Sequence, residues 1–223
     1  MENDKPIIAI LGGTGNQGPG LAMRWANAGY KIIIGSRQAE KAQVTAKELN
    51  NKLGVDTIEG LQNPDAARQA DISILTVLQS THQAALENLK DALQGKILVD
   101  ATARVHPPKF TPPEQPSAGR IAQNILGAGV RVVTAYQNVP ASALKKNLDQ
   151  PIASDVLVCA DDLEAAEAII ELTQAAGMGA YFAGGLANAI VVEGLTSLLI
   201  SMNKHYRGHG TIRVAGIDKS TAS

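Results

Sequence analysis

The tightest constraint on this chain is a cluster of glycines: Gly12, Gly13, Gly15 and Gly18 follow directly on the apolar run Ile7 to Leu11. A short strand that runs into glycine and then into a helix-compatible stretch, Leu21 to Ala28, reads as strand, turn and helix start. Without a Cβ, glycine permits the tight turn and lets backbone N–H groups come close to a diphosphate. The positive end of the following helix favours that negative charge. Gly13, Gly15 and Gly18 match G-x-G-x-x-G in the strand-to-helix setting that a dinucleotide site requires. The spacing alone is a weak signal; its setting makes it a βαβ dinucleotide-binding unit.

The rest of the chain keeps the same alternation. Pro19 suits a first helical turn and Gly29 a C-terminal cap, so Leu21, Ala22, Trp25 and Ala26 form the face packed on the sheet. Tyr30 to Gly35 is the continuous apolar strand of a parallel sheet covered on both faces. A helix over Ala39 to Leu53 closes at Gly54, and a short strand covers Asp56 to Leu61. Ala70 to Val77 is another buried strand, which leaves Thr76, Val77 and Leu78 at a strand's carboxyl end, where open α/β sheets hold ligands. A helix over Thr81 to Leu93 and a strand over Lys96 to Val99 lead to Asp100-Ala101-Thr102. Five of the ten residues from Pro107 to Pro116 are proline, so this is a stiff surface loop, either a wall of the substrate cleft or a plain connection. Ser117 caps a helix over Ala118 to Leu126, and Val130 to Ala135 is a sixth strand. Past a boundary at Leu148 to Ser154 come a strand (Asp155 to Ala160), a helix (Leu163 to Ala176), a strand (Tyr181 to Ala183) and a long helix (Leu186 to Met202). The pattern predicts an α/β fold: a doubly wound parallel sheet of Rossmann type with a small C-terminal α/β annex. The last helix is apolar on most of its surface. Leu195, Leu198, Leu199 and Met202 therefore need either a central position or a homodimer contact.

The second strand ends in Ser36-Arg37, with Lys41 four residues after Arg37. A cofactor with a free ribose 2′-hydroxyl usually meets Asp or Glu there, whereas a 2′-phosphate calls for cations and hydroxyl donors. Cations are disfavoured at a helix N-terminus, so their presence points to an external anion. The cofactor is read as NADP(H), with residues 1–150 as its binding domain.

Composition narrows the alternatives. Hydrophobic residues make up 45% of the 223-residue chain, charged residues 18% and aromatics 3%, with a formal net charge of -1. That is a globular composition without a basic surface or stacking platforms for nucleic acid. The only cysteine, Cys159, sits in an apolar strand and reads as a small buried hydrophobe. His205 and His209 have an i, i+4 spacing, but Gly208 and Gly210 argue against a helix and no third ligand is near, so no metal is expected. The N-terminus is polar and no apolar stretch approaches a membrane span, so no membrane role and a cytoplasmic location are expected.

Gly12, Gly15 and Gly18 also satisfy G-x-x-G-x-x-G, the pattern of short-chain dehydrogenases, which pair a catalytic Tyr with a Lys four residues later. Tyr30, Tyr136, Tyr181 and Tyr206 lead instead to Ile34, Pro140, Gly185 and Gly210. That chemistry is excluded, and a non-catalytic NADP(H)-binding redox sensor stays open.

ILGGTGNQGPGLAMRWANAGYKIIIGSR, the Ala70 to Val77 strand, QNVPA at Gln137 to Ala141, and GGLANAIVVEGLTSLLISMN together resemble the F420-dependent NADP oxidoreductases over nearly the whole chain. The resemblance implies that Thr14, Gly15, Asn16 and Gln17, within the turn from Gly13 to Gly18, hold the diphosphate. It implies that Ser36, Arg37 and Lys41 bind the 2′-phosphate, in agreement with the reading above. Val77, Leu78, Gln79, Ala103 and Ala141 would follow the nicotinamide half. Gln137, Asn138, Val139 and Pro140, with His209, Gly210 and Thr211, would line the cleft of the acceptor, coenzyme F420. Residues 151–223 would complete that cleft. The family differs from this chain at Leu78-Gln79, Gln137 and Ile190, which leaves a flavin (FMN, FAD or riboflavin) or ferric acceptor as the alternative. Direct hydride transfer between two stacked rings needs close approach more than a protein acid or base, so no catalytic residue is expected.

Overall fold

The computed structural model describes residues 5–105 and 110–217, so Pro107 and Pro108 of the proline segment lie outside the described residues. β1 (Ile8–Leu11) is buried along its whole length. Its side chains alternate between two apolar clusters, Ile8 and Ile10 facing one and Ala9 and Leu11 the other. A strand apolar on both faces can be satisfied only between two helical layers.

The neighbouring strands β2 (Ile32–Ser36) and β4 (Ile72–Leu75) pair with β1 in parallel. β3 (Ile58–Gln62) lies outside β2, while β5 (Ile97–Asp100) and β6 (Arg131–Thr134) follow β4. All of these junctions are parallel. The order β3-β2-β1-β4-β5-β6 reverses between β1 and β4, the point at which a crevice opens at the carboxyl ends of the strands.

On one face lie α1 (Gly18–Asn27), α2 (Ala39–Leu53) and α7 (Leu163–Ala175), with the short α6 (Ala141–Leu144) against α1. On the other lie α3 (Asn63–Gln69), α4 (Gln79–Leu89) and α5 (Ala118–Leu126). Gly54 caps α2 in the left-handed conformation, and Ser117 caps α5 by accepting a hydrogen bond from the Arg120 N–H.

The C-terminal part departs from a purely parallel arrangement. β7 (Asp155–Ala160) pairs antiparallel with β6 through Val133 with Ala160 and Thr134 with Cys159, and β8 (Gly179–Phe182) runs parallel to β7. The connection from β6 to β7 contains only the four-residue α6, too little to form the helical crossover that a parallel junction needs. The expected annex thus extends the same eight-stranded sheet. α8 (Ala189–Tyr206) packs through Ala189 and Val192 on Cys159. It begins later and ends later than its apolar spacing predicts: Leu186 to Asn188 form a turn, and Arg207 closes the helix at φ 51°. Cys159 is buried, and burial pushes its thiol up to about 11.

Candidate functional site

Five strand ends, those of β1, β2, β4, β5 and β6, meet at one edge of the sheet. The glycine turn occupies its centre. Gly12 has φ +71°, and a Cβ there would also press on Val77. A Cβ on Gly13 would lie 2.5 Å from the Ile10 carbonyl oxygen, and one on Gly18 would lie 2.6 Å from the Gly13 Cα. Gly15 differs: its nearest contact is the Gly12 oxygen at 3.6 Å, which leaves that face of the turn open. Gly13 and Gly18 thus serve close packing and Gly15 serves approach from outside. The turn is stitched to its neighbours by the Gly13 N–H donating to the Gly35 carbonyl (2.9 Å) and the Gly12 N–H donating to Asn63 Oδ1 (3.1 Å). The first turn of α1 has neither a side-chain cap nor an acidic residue. Pro19 in that turn has no N–H and the Gly20 and Leu21 N–H groups donate to the Gln17 carbonyl, so the turn favours an anion chiefly through the positive end of the helix.

Thr14, Gly15 and Asn16 are exposed around this turn. The Gln17 side chain is partly committed elsewhere, since its Nε2 donates to the Tyr136 carbonyl at 2.9 Å. That bond ties the glycine turn to the end of β6 and leaves the Gln17 side chain one further N–H to donate. Tyr136 has φ 75°, a conformation that non-glycine residues rarely adopt. Its hydroxyl is hydrogen-bonded to Thr173 Oγ1 (2.7 Å) and its ring packs edge-on against Trp25. This backbone turn sends Gln137 and Asn138 away from the strand direction.

At the end of β2, Ser36 is buried and its hydroxyl accepts from the Gln38 N–H. Arg37 and Lys41 stand exposed beside it, outside every ion pair found among the described residues. At the end of β4 the Thr76 hydroxyl donates to the Leu11 carbonyl (3.1 Å), so it braces β1 and can meet a ligand only as an acceptor. Val77 covers Gly12, Leu78 is 77% exposed at the rim and Gln79 opens α4. Ala103 is half-buried past β5, and Ala141 begins α6 after Pro140.

The second group of residues converges on Asp155. Asn138 Nδ2 donates to the Asp155 carbonyl (2.7 Å), the Asp155 N–H donates to the Ile212 carbonyl (2.8 Å), and the Val214 N–H donates to Asp155 Oδ2 (2.7 Å). Thr211 is anchored beside them by donating to the Ala153 carbonyl, and Gly210 by donating to Asn203 Oδ1. Asn138 is thereby joined through Asp155 to the Ile212 to Val214 backbone that follows Gly210 and Thr211. His209 is exposed beyond the end of α8, off the helix that carries His205. Among the described residues no cluster of His, Cys, Asp and Glu could hold a metal ion.

Five further polar residues shape this edge without having been singled out in the sequence. Asp100 Oδ2 lies 2.7 Å from His82 Nε2, and Glu193 Oε2 accepts from Arg104 Nε at 3.0 Å. Glu193 also accepts from the Ala118 N–H at the start of α5 (2.7 Å). Burial lowers the His82 pKa, but the hydrogen bond and charge of Asp100, with Glu193 behind it, outweigh burial and hold it above 6.5. Burial pushes Glu193 above 4.5 despite Arg104 and the Ala118 N–H. On the other face Arg24, 3% exposed, donates to the carbonyls of Leu144, Lys146, Asn147, Leu148 and Gln150. One signal was available: Arg24 in LAMRWA and Glu193 in IVVEGL are lone charges within apolar helical runs, which are rarely buried without a partner.

Residues 7–104 match the family described as NADP oxidoreductase coenzyme F420-dependent. The chain is 40% identical over 223 residues to the F420-dependent NADP reductase of Methanocaldococcus jannaschii, covering 95% of this chain and 99% of that one. It is 39% identical over 220 residues to the reductase of the same name from Methanothermobacter thermautotrophicus, covering 94% and 93%. A crystal structure of a candidate F420-dependent NADP reductase from Arthrobacter sp. FB24 superposes with a TM-score of 0.79 at 23% identity, covering 94% of this chain and 99% of the other, which shows the shared fold. With this likeness carried from one end of the chain to the other, the protein belongs to the family of F420-dependent NADP reductases.

Proposed function

We propose that this protein transfers a hydride directly between NADP(H) and the deazaflavin coenzyme F420. The observation that carries this reading is the 40% identity to an F420-dependent NADP reductase along almost the full length of both chains. The cofactors supply the redox chemistry: a hydride passes with its electron pair between nicotinamide C4 and deazaflavin C5, and one proton is taken up as F420 is reduced. The chain's own part is to bind, orient and exclude water, which is where most of the rate of such a step originates.

The fit rests on three features. Gly13, Gly15 and Gly18, with the uncapped start of α1, suit a diphosphate contacting Thr14, Asn16 and Gln17. Ser36, Arg37 and Lys41 suit a 2′-phosphate. Thr76 to Gln79, Ala103 and Ala141 flank the path from there toward the β4, β5 and β6 ends, where the nicotinamide would lie. Gln137 to Pro140 and the His209 to Thr211 segment would receive the acceptor. On this reading residues 1–150 are the NADP-binding domain, and residues 151–223 form a subdomain that completes the acceptor cleft. The contacts of Asp155 with both Asn138 and Val214 support that division of labour. We further propose a homodimer through α8, and work in the cytoplasm on small soluble cofactors, without nucleic acid or membrane partners. No helix among the described residues is long and apolar enough to cross a membrane.

The test is NADPH oxidation with F420, FMN, riboflavin and ferric ion as separate acceptors. F420 is expected to give the highest kcat/KM. Turnover with flavins or iron but not with F420 would assign a flavin or ferric reductase. Tight NADPH binding with no turnover on any acceptor would leave a sensor. Alongside this, Arg37→Asp is expected to weaken NADPH by about tenfold to a hundredfold, from the loss of charge-assisted hydrogen bonds worth about 1.5–3 kcal/mol, while NADH changes little. Equal losses for both dinucleotides would move the 2′-phosphate site elsewhere.

A further inference from the structure

Three segments that bound the inner end of the cleft, the start of α4, the end of β5 and the end of β6, meet at one residue, Asp100. Its Oδ2 is held by His82 Nε2 at 2.7 Å, its Oδ1 accepts from the Thr102 N–H at 3.0 Å, and its carbonyl accepts from Gln137 Nε2 at 2.7 Å. Asp100, His82 and Gln137 are 0%, 5% and 6% exposed. A backbone carbonyl only accepts, so the Gln137 amide can face Asp100 only with its NH2 group. The other end of that amide is thereby fixed as an acceptor. Gln137 Oε1 is buried and has no hydrogen-bond partner among the described residues. The Gln137 backbone is held as well, its carbonyl accepting from Thr196 Oγ1 of α8 at 2.9 Å. A buried acceptor left unpaired is costly and is relieved only by a donor.

We propose that Asp100, clamped by His82, is a positioning residue that presents Gln137 Oε1 as a fixed acceptor for an N–H donor of a ring bound in the cleft. This inference rests on the hydride-transfer reading above. Two groups supply the required chemistry: the carboxamide NH2 of the nicotinamide and a ring N–H of the acceptor. A substrate whose nearest ring atom can only accept a hydrogen bond would be rejected there.

The test is a double-mutant cycle on the whole protein, with KM for NADPH, KM for F420 and kcat measured separately. Gln137→Leu is expected to lower kcat/KM about tenfold, the loss falling on NADPH if the donor is the carboxamide and on F420 if it is the acceptor ring. His82→Leu, which unclamps Asp100, is expected to give a similar loss in the wild-type background and no further loss on top of Gln137→Leu. His82→Gln, whose amide can still donate to Asp100, is expected to restore most of it. Additive losses from His82→Leu and Gln137→Leu would overturn the positioning role. Unchanged constants in Gln137→Leu would show that no bound ring donates to Oε1 and would overturn the proposal. If His82→Leu does not fold, Asp100→Asn serves in its place, weakening the same clamp, with the same requirement of non-additivity. Should F420 prove not to be the acceptor, the NADPH arm still reads the carboxamide case and the active acceptor reads the other.

Discussion

Two buried ionisable residues, His82 and Glu193, give the fold a measurable signature. Both are buried and both hold their protons more tightly in the folded chain than in the unfolded one. Stability therefore falls as pH rises, from about 4.5 upward through the Glu193 window and from about 6.5 upward through the His82 window. The His82 contribution is fully present below its unfolded pKa and is lost as pH passes the raised folded value. Denaturant midpoints measured between about pH 6 and 8.5 are expected to decline in the wild type and to decline less in His82→Gln, which cannot titrate. Identical slopes would mean that His82 is not the group responsible. Glu193 stands out in the sequence as a lone charge in an apolar helix, but the His82 pairing was not legible there. His82 sits among polar neighbours in QSTHQ, and helical spacing alone does not show that it turns inward to a carboxylate 18 residues later. The glycine turn, by contrast, was legible residue by residue, because its constraints are local: φ at Gly12 and clearance at Gly13 and Gly18.

At the scale of elements, most strands were legible because they are apolar runs too short for a helix; β3, IEGLQ, is the exception, marked only by its place between α2 and the Asn63-Pro64 turn. The boundaries of α4 and α8 were not, because they depend on caps and turns formed by residues without a strong local preference. α6 and the connection to β7 were the least legible part, since their order comes from Arg24 on α1. Its guanidinium serves five carbonyls of residues 144–150, and those carbonyls have no strand or long helix of their own to satisfy them. Arg24→Met keeps the apolar stem and removes every donor. It is expected to destabilise the fold by about 2–4 kcal/mol, because a buried charged hydrogen-bond hub is lost and the buried Leu144 carbonyl and its part-buried neighbours lose their donor. It should also speed proteolysis within residues 144–150. A melting temperature no lower than that of Lys52→Met, which removes an exposed helical cation, would refute this account.

At the scale of the whole molecule, α8 presents two unlike sides. Its inner side carries Val192, Glu193 and Ser197, all buried, and Thr196 reaches Gln137. Its outer side carries Val191, Leu198, Met202 and Tyr206, which are 65%, 54%, 45% and 75% exposed, with half-buried Leu195 completing the stripe. Steps of three and four residues put these side chains on one helical face. From Thr196 to Tyr206 the helix extends about 15 Å past its bond to Gln137. A second copy related by a two-fold axis would cover such a stripe with an identical one, because a two-fold contact uses the same patch on both subunits. Light scattering is therefore expected to give about twice the 23.3 kDa chain mass. Leu198→Asp combined with Met202→Asp should give a monomer, as each buries a charge against apolar carbon in the paired state. The consequence for function follows from the inner face of the same helix. If pairing steadies α8, and with it the Thr196 bond to Gln137, the monomeric variant should lose affinity for the ring that Gln137 Oε1 holds, while the preference for NADPH over NADH that we assign to Ser36 and Arg37, at the opposite end of the sheet edge, is kept. A wild-type protein that elutes as a monomer at tens of micromolar, or a double variant that stays dimeric, would put the contact on another surface.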